Sequence, residues 1–144
     1  MKTFNAYGQT SRQFGGNEPV WCGVVRPIPV GGVLDAEFVK SNALYRAGTP
    51  VEYDESTRTF KPLVNPQDAV ASEGAEAKVK VNGYLYNDIY IGPMEEENKN
   101  FSATGAIVMN HPDGLLIDRT GFSEIKETLR KLIPGVHLIT ELAE

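Results

Sequence analysis

"ALYRAGTPVEYDESTRTFKPL", residues 43–63, is the stretch on which the fold turns. Runs in which apolar and polar side chains alternate flank the polar "YDESTR", a pattern of half-buried strands. The pattern predicts strands over 44–53 and 59–63, joined by a connection at 54–58 of the length hairpins use. Pro50 falls near a strand start, where its missing N–H does least harm.

Downstream, "NPQDAVASEGAEA" (65–77) reads as a flexible acidic loop. "KVKVNGYLYNDIYI" (78–91) carries the strongest strand signal, with Lys78 and Lys80 alternating with Val79 and Val81 before an Asn82-Gly83 turn signal. "GPMEEENKN" (92–100) is expected to be a solvated surface loop, and "ATGAIVMNHPDGLLID" (103–118) a strand, a turn at "HPDG" and a second strand. Ser123 is placed to cap a short helix near 123–133, with Ile125, Leu129 and Leu132 as its apolar stripe and Pro134-Gly135 as its stop. "VHLITEL" (136–142) could form a last strand.

Upstream, Val20–Val25 could be a strand, while Pro27 and Pro29 confine "RPIPV" to an edge or an extended connection. Gly31-Gly32 would turn the chain, and Asp35 could cap a short helical turn. Residues 1–16 follow neither period. They are either a frayed terminus or an arm that orders against a partner through Phe4, Tyr7 and Phe14, since aromatic side chains bury large areas at small entropic cost. The expected organisation is therefore an N-terminal arm over 1–16 and one mainly β domain over 17–144, a compact barrel or sandwich-like body of hairpins with one short C-terminal helix. Fourteen glycines and nine prolines agree with a turn-rich β protein.

Composition narrows the function. Fourteen basic against nineteen acidic side chains give a net charge of −5, which provides no general attraction for nucleic acid. The single cysteine, Cys22, has no partner for an intramolecular disulfide and, among apolar neighbours, is expected to be a small buried hydrophobe. The chain has no apolar run long enough to span a membrane, and its start lacks the apolar segment of a secretory signal. The expectation is a protein made in a cytoplasm and used there or carried out within a particle.

A catalytic or metal centre needs converging donors, and the sequence offers few. His111 lies in "NHPDG" and His137 in a strand-like run, each expected to be an ordinary histidine. No Ser or Cys stands in a nucleophile motif, and "FGGNEP" and "PVGGV" lack the lysine and following helix of a phosphate loop. The acidic runs "YDES" and "MEEEN" fall in polar loops. The sequence is therefore read as that of a non-enzyme, with no catalytic, cofactor or metal residues.

"AGTPVEYDESTRTFKPL", "GYLYNDIYI" and "ATGAIVMNHPDGLLIDR" together resemble the capsid-decoration proteins of tailed phages, and the head-fibre proteins whose bases sit on the same shells. The resemblance spans about residues 43–120. It implies a β-rich homotrimer on the exterior of the virion, bound to the phage major capsid protein after shell expansion and stabilising the head. It also implies an arm that orders on the capsid, a role that falls here to Thr3, Phe4, Tyr7 and Phe14. The long segment before residue 43 and the terminal helix depart from the smallest decoration proteins, leaving both a cement protein and a head-fibre base open.

A trimer needs apolar contacts of its own. Tyr84, Tyr86 and Ile89 are candidates for self-association, the other possibility being burial within one chain. A different class of function also fits: a carbohydrate- or receptor-binding β-module in which Trp21, Tyr84, Tyr86 and Tyr90 stack on sugars.

Overall fold

The computed structural model describes residues 19–28, 31–93 and 102–140. In chain order its strands are β1 (Gly32–Leu34), β2 (Leu44–Tyr45), β3 (Pro50–Asp54), β4 (Thr59–Pro62) and β5 (Gly83–Leu85). There follow β6 (Ile89–Tyr90), β7 (Thr104–Gly105), β8 (Ile107–Val108) and β9 (His111–Leu116), then helix α1 (Lys126–Leu132) and β10 (Val136–Ile139). The mainly β class with one short C-terminal helix is as the sequence predicts. The arm at 1–16, with Thr3, Phe4, Tyr7 and Phe14, and the charged part of "GPMEEENKN" lie outside the described residues.

The hairpin forms at its predicted place. β3 and β4 pair antiparallel, with Tyr53 opposite Phe60 and Glu52 opposite Lys61. Arg58 takes a left-handed φ of 59° to close the connection and donates its N–H to the Asp54 carbonyl at 2.7 Å. The first strand is shorter than expected because Gly48 turns the chain at φ 89°. Leu44–Tyr45 therefore leaves the hairpin and pairs with β6.

β3 and β4 lie at the centre of a six-stranded sheet ordered β7-β1-β4-β3-β5-β8. Only β1 and β4 run parallel within it. The two edge strands, β7 and β8, are consecutive in the chain and separated by Ala106 alone, so the sheet curls into a nearly closed barrel. Ala106 is the seam: its carbonyl accepts the Tyr86 N–H at 2.8 Å, and its N–H donates to Asn87 Oδ1 at 3.3 Å.

Alternation along the strands sends side chains to two separate cores. Leu85 and Ile107, opposite one another, join Val51, Phe60, Ile89 and Ile91 in one cluster. Their neighbours Tyr84 and Val108 join Leu115, Ile117, Leu129 and Val136 in the other, which α1 and the β9–β10 pair cover.

Several local expectations change. The strand predicted from Lys78 begins only at Gly83; Asn82-Gly83 is no turn, because Gly83 is buried inside β5 and pairs with Val51. "HPDG" is likewise no turn: all four residues belong to β9, where a register shift against β10 and Gly114 at φ 116° absorb the irregularity. Val20–Val25 yields only a bridge from Trp21 to Leu115, since Gly23 takes a φ of 72°. The acidic segment from Asn65 opens with a 3-10 turn at Pro66–Ala69, capped by the Asn65 side chain, and buries Ala69. Ser123 does not cap the helix; its hydroxyl bonds Asp118 Oδ1 at 2.7 Å. The buried helical stripe is Ile125, Leu129 and Ile133, spaced by four, which leaves Leu132 exposed. Asp35 does cap its short 3-10 turn, accepting the Glu37 N–H.

Candidate functional site

The segment Tyr86–Asp88 joins β5 to β6 and is fixed from three sides. Tyr86 and Asn87 hold the seam at Ala106, and Asp88 Oδ1 accepts the Ala47 N–H at 2.7 Å. Trp21 donates its indole N–H to the Tyr86 carbonyl at 3.0 Å. That bond sets the indole beside the Tyr86 ring, with centroids 6.4 Å apart and planes inclined at 40°. Tyr84 and His111 meet the indole in T-shaped contacts at 6.3 and 5.3 Å.

Two grooves flank this segment, and Tyr86 and Asn87 line both. One, of about 570 Å³, runs past Trp21, Val24, Ala47 and Asp88. The other, of about 540 Å³, follows the barrel seam past Ile28, Val33, Arg58 and Ala106. Among the described residues, three of the six large exposed hydrophobic side chains border these grooves: Val24 at 78% exposure, Val33 at 37% and Tyr86 at 38%.

The residues predicted for self-association separate. Tyr86 reaches the surface, but Tyr84 and Ile89 do not: each is buried within its own chain, one in each core. Tyr84 lies inside β5 and is enclosed with it, whereas Tyr86 follows the strand's last residue, Leu85, and is exposed. Of the aromatics expected to meet sugars, Tyr90 is exposed, Trp21 is half-buried and Tyr84 is enclosed. Burial pushes the Tyr84 phenol well above its ordinary value.

His111 is buried, its Nε2 2.6 Å from the Cys22 carbonyl oxygen, and thus ties β9 to the entering chain. Cys22 is half-buried and His137 exposed. Among the described residues no three His, Cys, Asp or Glu side chains gather as metal ligands would, and no helix is long and apolar enough to cross a membrane. Asn87, Asp88, Val24 and Val33 were missed by sequence reasoning. "NDI" reads as the middle of one long strand, and only the seam at Ala106, which no local pattern signals, turns it into a groove wall.

In comparison with known proteins, the chain matches no family model, no curated protein and no solved structure.

Proposed function

We propose that the chain is a non-enzymatic structural protein of a virion, docking as a homotrimer on the phage major capsid protein at the outer face of the head. It serves there as a cement protein or as the base of a head fibre. The observation that carries this reading is the exposure of Val33 and Tyr86 along the groove at the barrel seam, since exposed apolar side chains brought together on a surface mark protein contacts. The resemblance over residues 43–120 supplies the partner.

The physical logic is multivalency. One weakly held copy gains little, but copies joined in a trimer meet their later attachments at high effective concentration. A ligand that grips only the expanded shell then stabilises that shell by mass action.

The test mixes the full chain with expanded tailed-phage heads and with unexpanded precursors. Retention on expanded heads alone, a trimer in sedimentation and loss of retention on Val33→Asp are the expected results. A monomer that ignores both kinds of shell overturns the reading. So does retention unchanged by Val33→Asp, because the seam would then not be the docking face.

A further inference from the structure

We propose that the groove between Trp21 and Asp88 binds a neutral pyranose sugar, an activity separate from capsid docking. Two aromatic rings border the groove, with Tyr86 partly exposed and the Trp21 indole fixed by its bond to the Tyr86 carbonyl. Such rings offer apolar faces to the C–H side of a sugar, whose rim of hydroxyls then needs hydrogen-bonding partners.

Those partners stand next in the chain. Asn87 uses Oδ1 on the Ala106 N–H, which leaves its Nδ2 donor without a partner among the described residues. Asp88 uses Oδ1 on the Ala47 N–H, which leaves Oδ2 in the same condition. An amide donor and a carboxylate acceptor therefore adjoin the rings on a segment already held by four hydrogen bonds, so little ordering is left for a ligand to impose.

Charge selects the class of sugar. Among the described residues, Asp88 is the one charged side chain lining the groove, and no lysine or arginine lines it. Anionic sugars and phosphates would meet an uncompensated carboxylate, whereas a neutral polyol can donate a hydroxyl to it. The groove's volume, about 570 Å³, falls in the range typical of small-molecule sites.

Trp21 is the only tryptophan in the chain, so tryptophan emission comes from the wall of this groove. The full chain is titrated with a panel of neutral oligosaccharides built from glucose, galactose, mannose and N-acetylglucosamine, and with the matching uronic-acid sugars. A saturable change in emission with at least one neutral member, and none with the acidic ones, is expected. Tyr86→Ala should weaken that binding at least tenfold, and so should Asp88→Asn, which keeps the acceptor for Ala47 while removing the charge. Val33→Asp lies on the other groove and should leave sugar affinity unchanged, so failure of capsid docking and failure of sugar binding remain distinguishable. Silence across the neutral panel at millimolar concentration overturns the proposal, as does preference for acidic sugars or for a basic peptide, or affinity indifferent to Tyr86→Ala.

Discussion

The side-chain amide of Asn82 stands in for a strand residue against Tyr53. Its Oδ1 accepts the Tyr53 N–H at 2.8 Å, and its Nδ2 donates to the Tyr53 carbonyl at 3.0 Å. This two-way bond continues the β3–β5 pairing beyond its last backbone bond, from the Asn82 N–H to the Val51 carbonyl at 2.9 Å. Removing one partner from such a pair leaves the other unsatisfied, which costs about 1–3 kcal/mol. Asn82→Ala should therefore destabilise the fold by that amount in urea titration. Asn82→Asp keeps the acceptor but sets a carboxylate oxygen against the Tyr53 carbonyl, so its deficit should be large at neutral pH and shrink near pH 4, where the protonated acid can donate. An Asp variant as stable as the parent at neutral pH would show that the second hydrogen bond contributes nothing.

Gly114 permits the irregularity in β9. Its φ of 116° is one that side chains with a Cβ rarely adopt, and a Cβ there would also overlap Ile139 Cδ1. Gly114→Ala should lose about 1–3 kcal/mol from backbone strain alone, with steric overlap adding to it. Pairing it with Ile139→Ala relieves the overlap but not the strain. The double variant should thus be more stable than the sum of the single losses implies, measured as non-additivity in a thermodynamic cycle. Strict additivity would argue that the β10 side chain is not in contact.

These two residues also show how far the sequence could be read. The hairpin was legible because strand alternation and a polar connection are local signals, and the Asp35 cap because a short acidic side chain bonds the nearest free N–H. "NG" and "HPDG" misled for a common reason: turn-forming residues have more than one use. Asn82 spends its amide on a distant backbone, and Gly114 lends its φ to a bulged strand, both settled by partners far along the chain. The candidate site was the least legible part. Tyr86 and Trp21 were visible as aromatics, but 65 positions separate them, and only the seam at Ala106 brings their rings together beside Asn87 and Asp88.

Tyr84 has the opposite problem to Asn82: its hydroxyl is buried and has no hydrogen-bond partner among the described residues. Removing an unsatisfied hydroxyl while keeping the ring should leave stability equal or raise it by up to about 1 kcal/mol, whereas Tyr84→Ala should lose about 3–5 kcal/mol by emptying the core. The same burial raises the phenol's folded-state pKa above its unfolded value. Stability from keeping it neutral is then full below about pH 10, the ordinary tyrosine value, and declines at higher pH. Tyr84→Phe should blunt that alkaline loss without abolishing it, since Tyr45 is also shifted upward by burial. Thermal melts from pH 8 to pH 11 test both points, and a Phe variant with an unchanged alkaline slope would contradict them.

Asp54 gives the corresponding dependence on the acid side. Its Oδ1 accepts the Ser56 hydroxyl at 2.7 Å and the Ser56 N–H at 2.9 Å. Those bonds, the hydroxyl's foremost, hold the carboxyl below its ordinary value. A depressed folded-state pKa means that the contribution is complete above the unfolded value, about 3.9, and is lost as pH falls through the folded one. The carboxylate is fully exposed, so its own titration is a better measure than global stability. Followed by NMR, the Asp54 carboxyl should titrate below a model aspartate, and Ser56→Ala should move its midpoint upward while leaving the Tyr53–Phe60 pairing intact. A midpoint unmoved by that substitution would assign the shift to some other part of the hairpin connection.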